Sequence, residues 1–409
     1  MTTPWSGRRI VLGVTGGIAA YKSVQLARDL TRLGAQVDVV FTRSAHEFVR
    51  PLSFEGVTGR KVSTEFFTTE GAALHIRLAA EADLVCVAPA TADLIARAAH
   101  GRADDLLTTI LLATEAPVLI CPAMNDRMYR HPQTQANVAH LRDALGYRIA
   151  GPGVGPLAWG EGEGPGRMLE PAAIVEHVGR GLGGGGAFRG RRVLVTAGPT
   201  REPLDAVRYL GNRSSGKMGY ALARAAWRRG AEVTLVTGPV SIEPPEGVGV
   251  VRVETAGEMC RAVREAISSA DVTLFAAAVA DFRPAAPREG KMKRAEDAAP
   301  ELALAANTDI ARETRPLRKK GSVAVGFALE TSDLVRNASA KLEAKGFDLI
   351  AANDATEDGA GFDVDTNRIT IVGRGADGKA AEPEALPLLS KDEAAERLLD
   401  RVATLLGRA

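Results

Sequence analysis

The first cluster able to do chemistry is the turn Val14-Thr15-Gly16-Gly17-Ile18, set between a short apolar run and a stretch with helical spacing. Backbone N–H groups in such a turn, aided by the positive end of a helix dipole, can hold a phosphate. GxGxxG is absent, and the next strand-like segment ends in Phe41-Thr42-Arg43-Ser44 where a dinucleotide site would carry an acid for the ribose. A mononucleotide therefore suits the turn better than NAD. Two more clusters follow strand-like segments, where open α/β sheets gather ligands: Ala88-Pro89-Ala90-Thr91-Ala92-Asp93 and Cys121-Pro122-Ala123-Met124-Asn125-Asp126. Taken singly, His75 reads as a surface histidine of an amphipathic helix, and Asn125 reads equally as a capping residue. The combination carries more than any member.

A second set stands in the back half. Gly211-Asn212-Arg213-Ser214-Ser215-Gly216-Lys217 precedes a helical stretch and offers an anion site, although Met218 after Lys217 breaks the GxxxxGK[ST] pattern. Ala278-Val279-Ala280-Asp281 closes a strand-like run and leads into the basic, flexible stretch Lys291-Met292-Lys293-Arg294. Such a run is usually a solvated loop, but this one issues from a strand end, where loop and nucleotide can meet. Lys341 and Lys345 share one helix face, Phe327 is placed to stack on a base, and Asn353-Asp354 ends a further strand.

Positioning these clusters calls for alternating strands and helices. Strands are predicted over 9–13, 37–41, 84–89 and 118–122, with helices over 18–33, 74–80, 92–99 and 104–112. The pattern restarts with strands at 192–197, 232–236, 272–276 and 322–327 and helices at 217–229 and 257–268. This alternation predicts right-handed crossovers and a doubly wound, Rossmann-like α/β sheet in each half. Between them the glycine stretch 179–190 reads as a linker, which predicts domains 1–180 and 191–409 joined by residues 181–190.

Composition narrows the class. A chain of 409 residues exceeds one ordinary core, so two domains are expected. A hydrophobic share of 45% with 25% charged residues suits a globular protein, and a net charge of +1 predicts neither nucleic acid nor anionic membrane as partner. No apolar run reaches about 18 residues and no signal-peptide apolar region follows the N-terminus, which predicts a cytoplasmic protein. Cys86, Cys121 and Cys260 are too scattered for a disulfide framework or metal cluster and suit a reducing compartment; no metal ligand can be named.

TGGIAAYK, LHIRLA, APATADLIA and PAMNDRMY, in this order and spacing, resemble the homo-oligomeric flavin-containing cysteine decarboxylases over residues 8–180. The resemblance implies a flavodoxin-like domain with FMN held by Gly16, Gly17, Ile18, Thr42, Ser44, Pro89, Ala90, Thr91, Ala92 and Ala123. It also implies His75 as the catalytic histidine and Asn125 as the residue orienting the substrate carboxylate. The chemistry is coherent: once FMN oxidises the cysteine thiol to a thioaldehyde, the electrons left by CO2 flow into the C=S group. A neutral His75 would accept the thiol proton, and FMN is regenerated without an external reductant. In the family a cysteine in a mobile Gly-rich flap supplies the last proton. The corresponding segment 155–168 keeps GPGRM but has Trp159 about where that cysteine is expected, leaving Glu161, Glu163 or water.

GPTREPLDAVRYLGNRSSGKMGYALA, AAAVADFRP, EGKMKR, VGFALET and the Lys341/Lys345 pair resemble the phosphopantothenoylcysteine synthetases over residues 190–405. This implies CTP contacts from Phe275, Ala276, Ala277, Asp281, Lys291, Thr308, Asp309, Ile310, Ala311, Phe327, Lys341 and Lys345. Asn212, assisted by Arg208, would hold 4'-phosphopantothenate and its activated carboxylate. The carboxylate attacks the α-phosphate of CTP, with Mg2+ on the triphosphate, and the cysteine amine then displaces CMP. Lys291 would stabilise charge in these steps. The product, phosphopantothenoylcysteine, is the substrate implied for the front half, so the pair resembles the bifunctional enzymes of coenzyme A biosynthesis. Family resemblance also implies a homo-oligomer. Alternatives are a flavin domain impaired in decarboxylation or serving as a regulatory module, a peptide-cysteine decarboxylase or flavin prenyltransferase, and an NAD-dependent dehydrogenase. The ligase half opposes a purely regulatory protein, a peptide-cysteine decarboxylase and a flavin prenyltransferase; the missing flap cysteine favours an impaired or regulatory flavin domain beside a working ligase; and the absent GxGxxG opposes the last.

Overall fold

The computed structural model describes residues 5–66, 73–183, 186–292, 301–330, 332–354, 364–374 and 381–407, and the chain divides into two compact units, Met1–Gly183 and Gly184–Ala409. Lys293 and Arg294 of the basic stretch, Thr331 of VGFALET, and Gly184 and Gly185 lie outside the described residues.

The front unit begins with β1 (Arg9–Val14), α1 (Ala20–Arg32) and β2 (Gln36–Phe41), then a short 3-10 turn at Arg43–Glu47 and α2 (Pro51–Thr58). The alternation continues through α3 (Leu74–Glu81), β3 (Leu84–Ala90), α4 (Ala92–Ala99), α5 (Leu106–Ala113) and β4 (Val118–Pro122). It closes with α6 (Asp126–Arg130), α7 (Pro132–Asp143), β5 (Arg148–Ile149), a hairpin of β6 (Gly153–Pro156) and β7 (Glu163–Arg167), and α8 (Pro171–Leu182). The five sheet strands run parallel in the order β2-β1-β3-β4-β5, the flavodoxin-like arrangement expected. β3 is buried along its whole length, as a strand covered on both faces must be. On α1 the residues Ala20, Ser23, Leu26, Ala27 and Leu30 turn to the sheet, at about 1.5–3 kcal/mol for each large apolar side chain buried.

The glycine stretch corrects a sequence expectation. Helix α8 continues through Gly179 to Leu182 because Gly181 packs flat on β3; a Cβ there would collide with the Leu84 side chain. Phe188, on the far side, is 1% exposed and belongs to the core of the rear unit. Of the glycine stretch, residues 179–182 thus belong to the front unit's last helix and Phe188 to the rear unit's core.

The rear unit comprises β8 (Arg192–Ala197), a hairpin of β9 (Arg201–Pro203) and β10 (Tyr209–Gly211), α9 (Lys217–Arg228), β11 (Glu232–Thr237) and β12 (Gly249–Arg252). Next come α10 (Ala256–Ile267), β13 (Val272–Phe275), the antiparallel pair β14 (Phe282–Pro284) and β15 (Leu304–Ala306), α11 (Ile310–Thr314) and β16 (Val323–Glu330). Last are α12 (Leu334–Lys345), β17 (Leu349–Asp354), β18 (Thr366–Asn367), β19 (Thr370–Gly373), β20 (Glu384–Ala385), β21 (Leu389–Ser390) and α13 (Lys391–Leu406). The main sheet has the order β12-β11-β8-β13-β16-β17-β19-β20. Its first six strands are parallel, and β19 and β20 extend it antiparallel, an addition the strand–helix alternation does not announce. Among the described residues no helix is long and apolar enough to cross a membrane.

Candidate active sites

In the front unit, hydrogen bonds lace the strand ends into one platform. The Thr15 hydroxyl donates to the Pro89 carbonyl at 2.8 Å, Thr42 N–H to the Val14 carbonyl at 3.1 Å, and Ala123 N–H to the Ala90 carbonyl at 3.0 Å. Thr91 caps α4, its hydroxyl accepting from Leu94 N–H, and Asn125 caps α6, accepting from Arg127 N–H at 2.9 Å. Asn125 thus has the capping role and also lines a cleft of about 540 Å³. Gly16, Gly17, Ile18, Thr91, Ala92 and Ala123 line it too, with Met124, Met128 and the hairpin residues Leu157, Glu161 and Met168. Such a cleft, largely apolar with a few polar groups, is the usual shape of a cofactor site.

Thr42, Ser44, Pro89 and Ala90 stand behind this lining. Ser44 backs the turn closely: a Cβ on Gly16 would lie 2.5 Å from the Ser44 Cβ, whereas one on Gly17 would meet only the Thr91 methyl, at 3.8 Å. The turn is therefore a cradle that a side chain would fill, and the residues present fit a flavin phosphate. His75 does not line the cleft. Its ring stacks on Phe66 with centroids 5.2 Å apart, and its buried Nδ1 has no hydrogen-bond partner among the described residues. The hairpin is pinned where Met124 N–H donates to the Gly166 carbonyl at 2.9 Å. At its tip Trp159 is fully exposed, while Glu161 faces the cleft. Beneath the platform Cys86 and Cys121 are both buried; contact with Cys86, together with burial, pushes the Cys121 thiol up.

In the rear unit a cleft of about 650 Å³ opens over the C-terminal ends of the central strands. It gathers Asn212, Phe275, Ala276, Ala277, Asp281, Thr308, Asp309, Ile310, Ala311, Phe327, Lys341 and Lys345. The backbone after β13 is held by two threonines: Ala277 N–H donates to the Thr196 hydroxyl at 3.2 Å and Ala280 N–H to Thr200 at 3.0 Å. Asn212 donates its amide to the carbonyls of Val279 at 3.0 Å and Ala278 at 3.4 Å, which leaves its side-chain oxygen for a bound molecule. At the opposite wall α9 begins after Gly216, whose φ of +75° only glycine adopts cheaply, and has no side-chain cap. Lys217, Met218 and Gly219 of its first turn line the cleft with Ser214 and Ser215. Lys345 pairs with Asp309 at 3.0 Å and Lys341 with Glu330 at 3.6 Å, so both cations are held apart at the rim.

Two expected residues stand outside this lining. Arg208 pairs with Asp205 at 2.5 Å and donates to the Met292 carbonyl; Lys291 is exposed. Lys217 of the expected anion turn lines the cleft, and Asn367 and Lys391 join it without having been singled out, on segments whose sequence has no turn signal of a ligand site. Among the described residues no group of three or more His, Cys, Asp or Glu could hold a metal ion.

Comparison with known proteins fits this division. A model described as "Flavoprotein" matches residues 2–182, and one described as "DNA/pantothenate metabolism flavoprotein C-terminal domain" matches residues 188–406. The coenzyme A biosynthesis bifunctional protein CoaBC of Vibrio vulnificus is 45% identical over 98% of this chain and 99% of its own length. That of Escherichia coli K12 is 44% identical over 98% and 97%. Among solved structures, the C-terminal domain of such a protein aligns at 37% identity over 55% of this chain and 99% of that one, with a TM-score of 0.46.

Proposed function

Because the chain belongs to the family of coenzyme A biosynthesis bifunctional proteins, we propose that its rear unit joins 4'-phosphopantothenate to cysteine with CTP and its front unit decarboxylates the product with FMN. One observation carries the reading: each unit has its own cleft at strand C-terminal ends, the front one apolar around a glycine cradle, the rear one rimmed by Lys341 and Lys345.

In the rear cleft the carboxylate of 4'-phosphopantothenate attacks the α-phosphorus of CTP, forming the acyl-cytidylate and releasing pyrophosphate. Attack by the cysteine amine then forms the amide and releases CMP. Lys341 and Lys345 exchange their carboxylate partners for phosphate oxygens, while the Asn212 oxygen and the strand-end backbone orient the acyl group. Phe327 stacks on the base, and Lys291 places charge beside the departing phosphates. Mg2+ would accompany the triphosphate of CTP.

In the front cleft the turn at Gly16 and Gly17, next to the start of α1, would hold the FMN phosphate. When bound, FMN supplies the two-electron oxidation of the substrate thiol and the return of that electron pair after CO2 leaves. Asn125 orients the carboxylate, and His75 takes the thiol proton. Because His75 stands away from the cleft of its own chain, a second copy of the front unit is its natural destination. The exposed apolar side chains Ile18, Tyr21, Leu52 and Ile76 suit such a homo-oligomer. Three buried free thiols accord with a cytoplasmic setting.

The purified protein should be yellow and release pyrophosphate from CTP over many turnovers only when phosphopantothenate and cysteine are both present, with no more than a single-turnover burst when cysteine is left out. Supplying phosphopantothenoylcysteine should then yield CO2 without CTP. Pyrophosphate release that ignores cysteine and phosphopantothenate would sink the ligase assignment; a colourless protein would sink the flavin one.

A further inference from the structure

The turn joining β9 to β10 grips the segment that carries Lys291. Arg288 N–H donates to the Leu204 carbonyl at 3.1 Å, Met292 N–H donates to Asp205 Oδ2 at 3.0 Å, and Arg208 Nη2 donates to the Met292 carbonyl at 2.8 Å. Asp205 is the hub, with its side chain fully buried. It also accepts from the N–H groups of Val207 and Arg208 at 2.8 and 2.9 Å and from Arg208 Nε and Nη2 at 3.0 and 2.5 Å. The Arg208 guanidinium and the converging N–H groups, against the opposing effect of burial, hold its carboxyl well below the usual carboxylate range. A local turn accounts for the contacts to residues 207 and 208. It does not account for a buried carboxylate reaching 87 positions along the chain to Met292. Both backbone polar groups of Met292 are thereby fixed, while the side chain of the residue before it stays in solvent.

We propose that Asp205 is a positioning residue for ligation, fixing the backbone directly after Lys291 so that the ammonium swings from a set base onto the nucleotide phosphates. This rests on the reading of Lys291 as the charge-stabilising group. The Asp205–Arg208 pair keeps the anchor rigid, and charge-assisted bonds of this kind are the strong ones.

The test is a double-mutant cycle in the full-length protein. Asp205→Asn should lower kcat for amide formation by about 100-fold, the cost of a small misplacement, with KM for CTP within about threefold. Hydrogen exchange of the 288–292 amides should accelerate. In a Lys291→Gln background the same substitution should cost less than about threefold more, because the two act as one unit. Met292→Pro, which deletes the same N–H from the exposed side, should reproduce the kcat loss should Asp205→Asn fail to fold. Equal losses from Asp205→Asn in both backgrounds, or a normal kcat in either anchor variant, would overturn the proposal alone. Full ligation by Lys291→Gln would instead overturn the reading beneath it.

Discussion

At the scale of single residues the glycine cradle sets the sharpest constraint. Gly16→Ala puts a methyl group 2.5 Å from Ser44 Cβ, so the turn must open at the proposed site of the flavin phosphate. Overpacking of this kind costs about 1–3 kcal/mol, and FMN content after gel filtration should fall by roughly tenfold or more. Trp159 and Glu161 separate cleanly on the hairpin: Trp159→Ala should leave decarboxylation within about twofold, while Glu161→Gln should slow it by about 10- to 100-fold, both read as CO2 release. If the two variants behave alike, Glu161 is not the proton source. Asp205 makes a pH prediction. Its folded pKa is depressed, so its contribution is present above the unfolded value near ~4 and is lost as pH falls below it. The gap between the melting temperatures of wild type and Asp205→Asn should therefore be constant above about pH 5, begin to narrow below about pH 4 and keep narrowing as the pH falls further.

Among the elements, α8 shows what periodicity cannot say. Four residues of the glycine stretch are helical because Gly181 lets the helix lie flat on Leu84, and packing overrides the low helix propensity of glycine. Gly181→Ala should lower the melting temperature of the front unit, at about 1–3 kcal/mol, while pyrophosphate release by the rear unit is unchanged. Parallel strands such as Val118–Pro122 were legible as apolar runs ending in a turn cluster, here Ala123 and Asn125, whereas the parallel β5, of two residues, and β12, largely exposed, were not. Nor was β19, since four residues such as Thr370–Gly373 do not announce their direction; only pairing with β17 sets it. The rear cleft could be read from strand ends in the same way. Arg208 could not, because its partner Asp205 sits three residues away on a turn whose shape the sequence leaves open. Nor could the Phe66 ring beneath His75, which depends on tertiary packing.

For the whole molecule, two units with separate clefts predict separable activities. His75→Asn should lose decarboxylation and keep ligation, and Lys291→Gln should do the reverse, with ligation reduced roughly 100-fold. An equimolar mixture of the two should again convert 4'-phosphopantothenate to the decarboxylated product, because the intermediate can diffuse from one protein to the other. A mixture as inert as its parts would mean the intermediate is never released. The hairpin tip has an optical corollary. Of the chain's three tryptophans, Trp227 is buried, Trp5 is half-buried and Trp159 is wholly in solvent. Iodide should therefore extinguish the red-shifted part of the emission first. If substrate draws the hairpin down over the cleft, that indole should be shielded from iodide, and an isoalloxazine bound there would dim it by energy transfer, giving a label-free clock for each turnover.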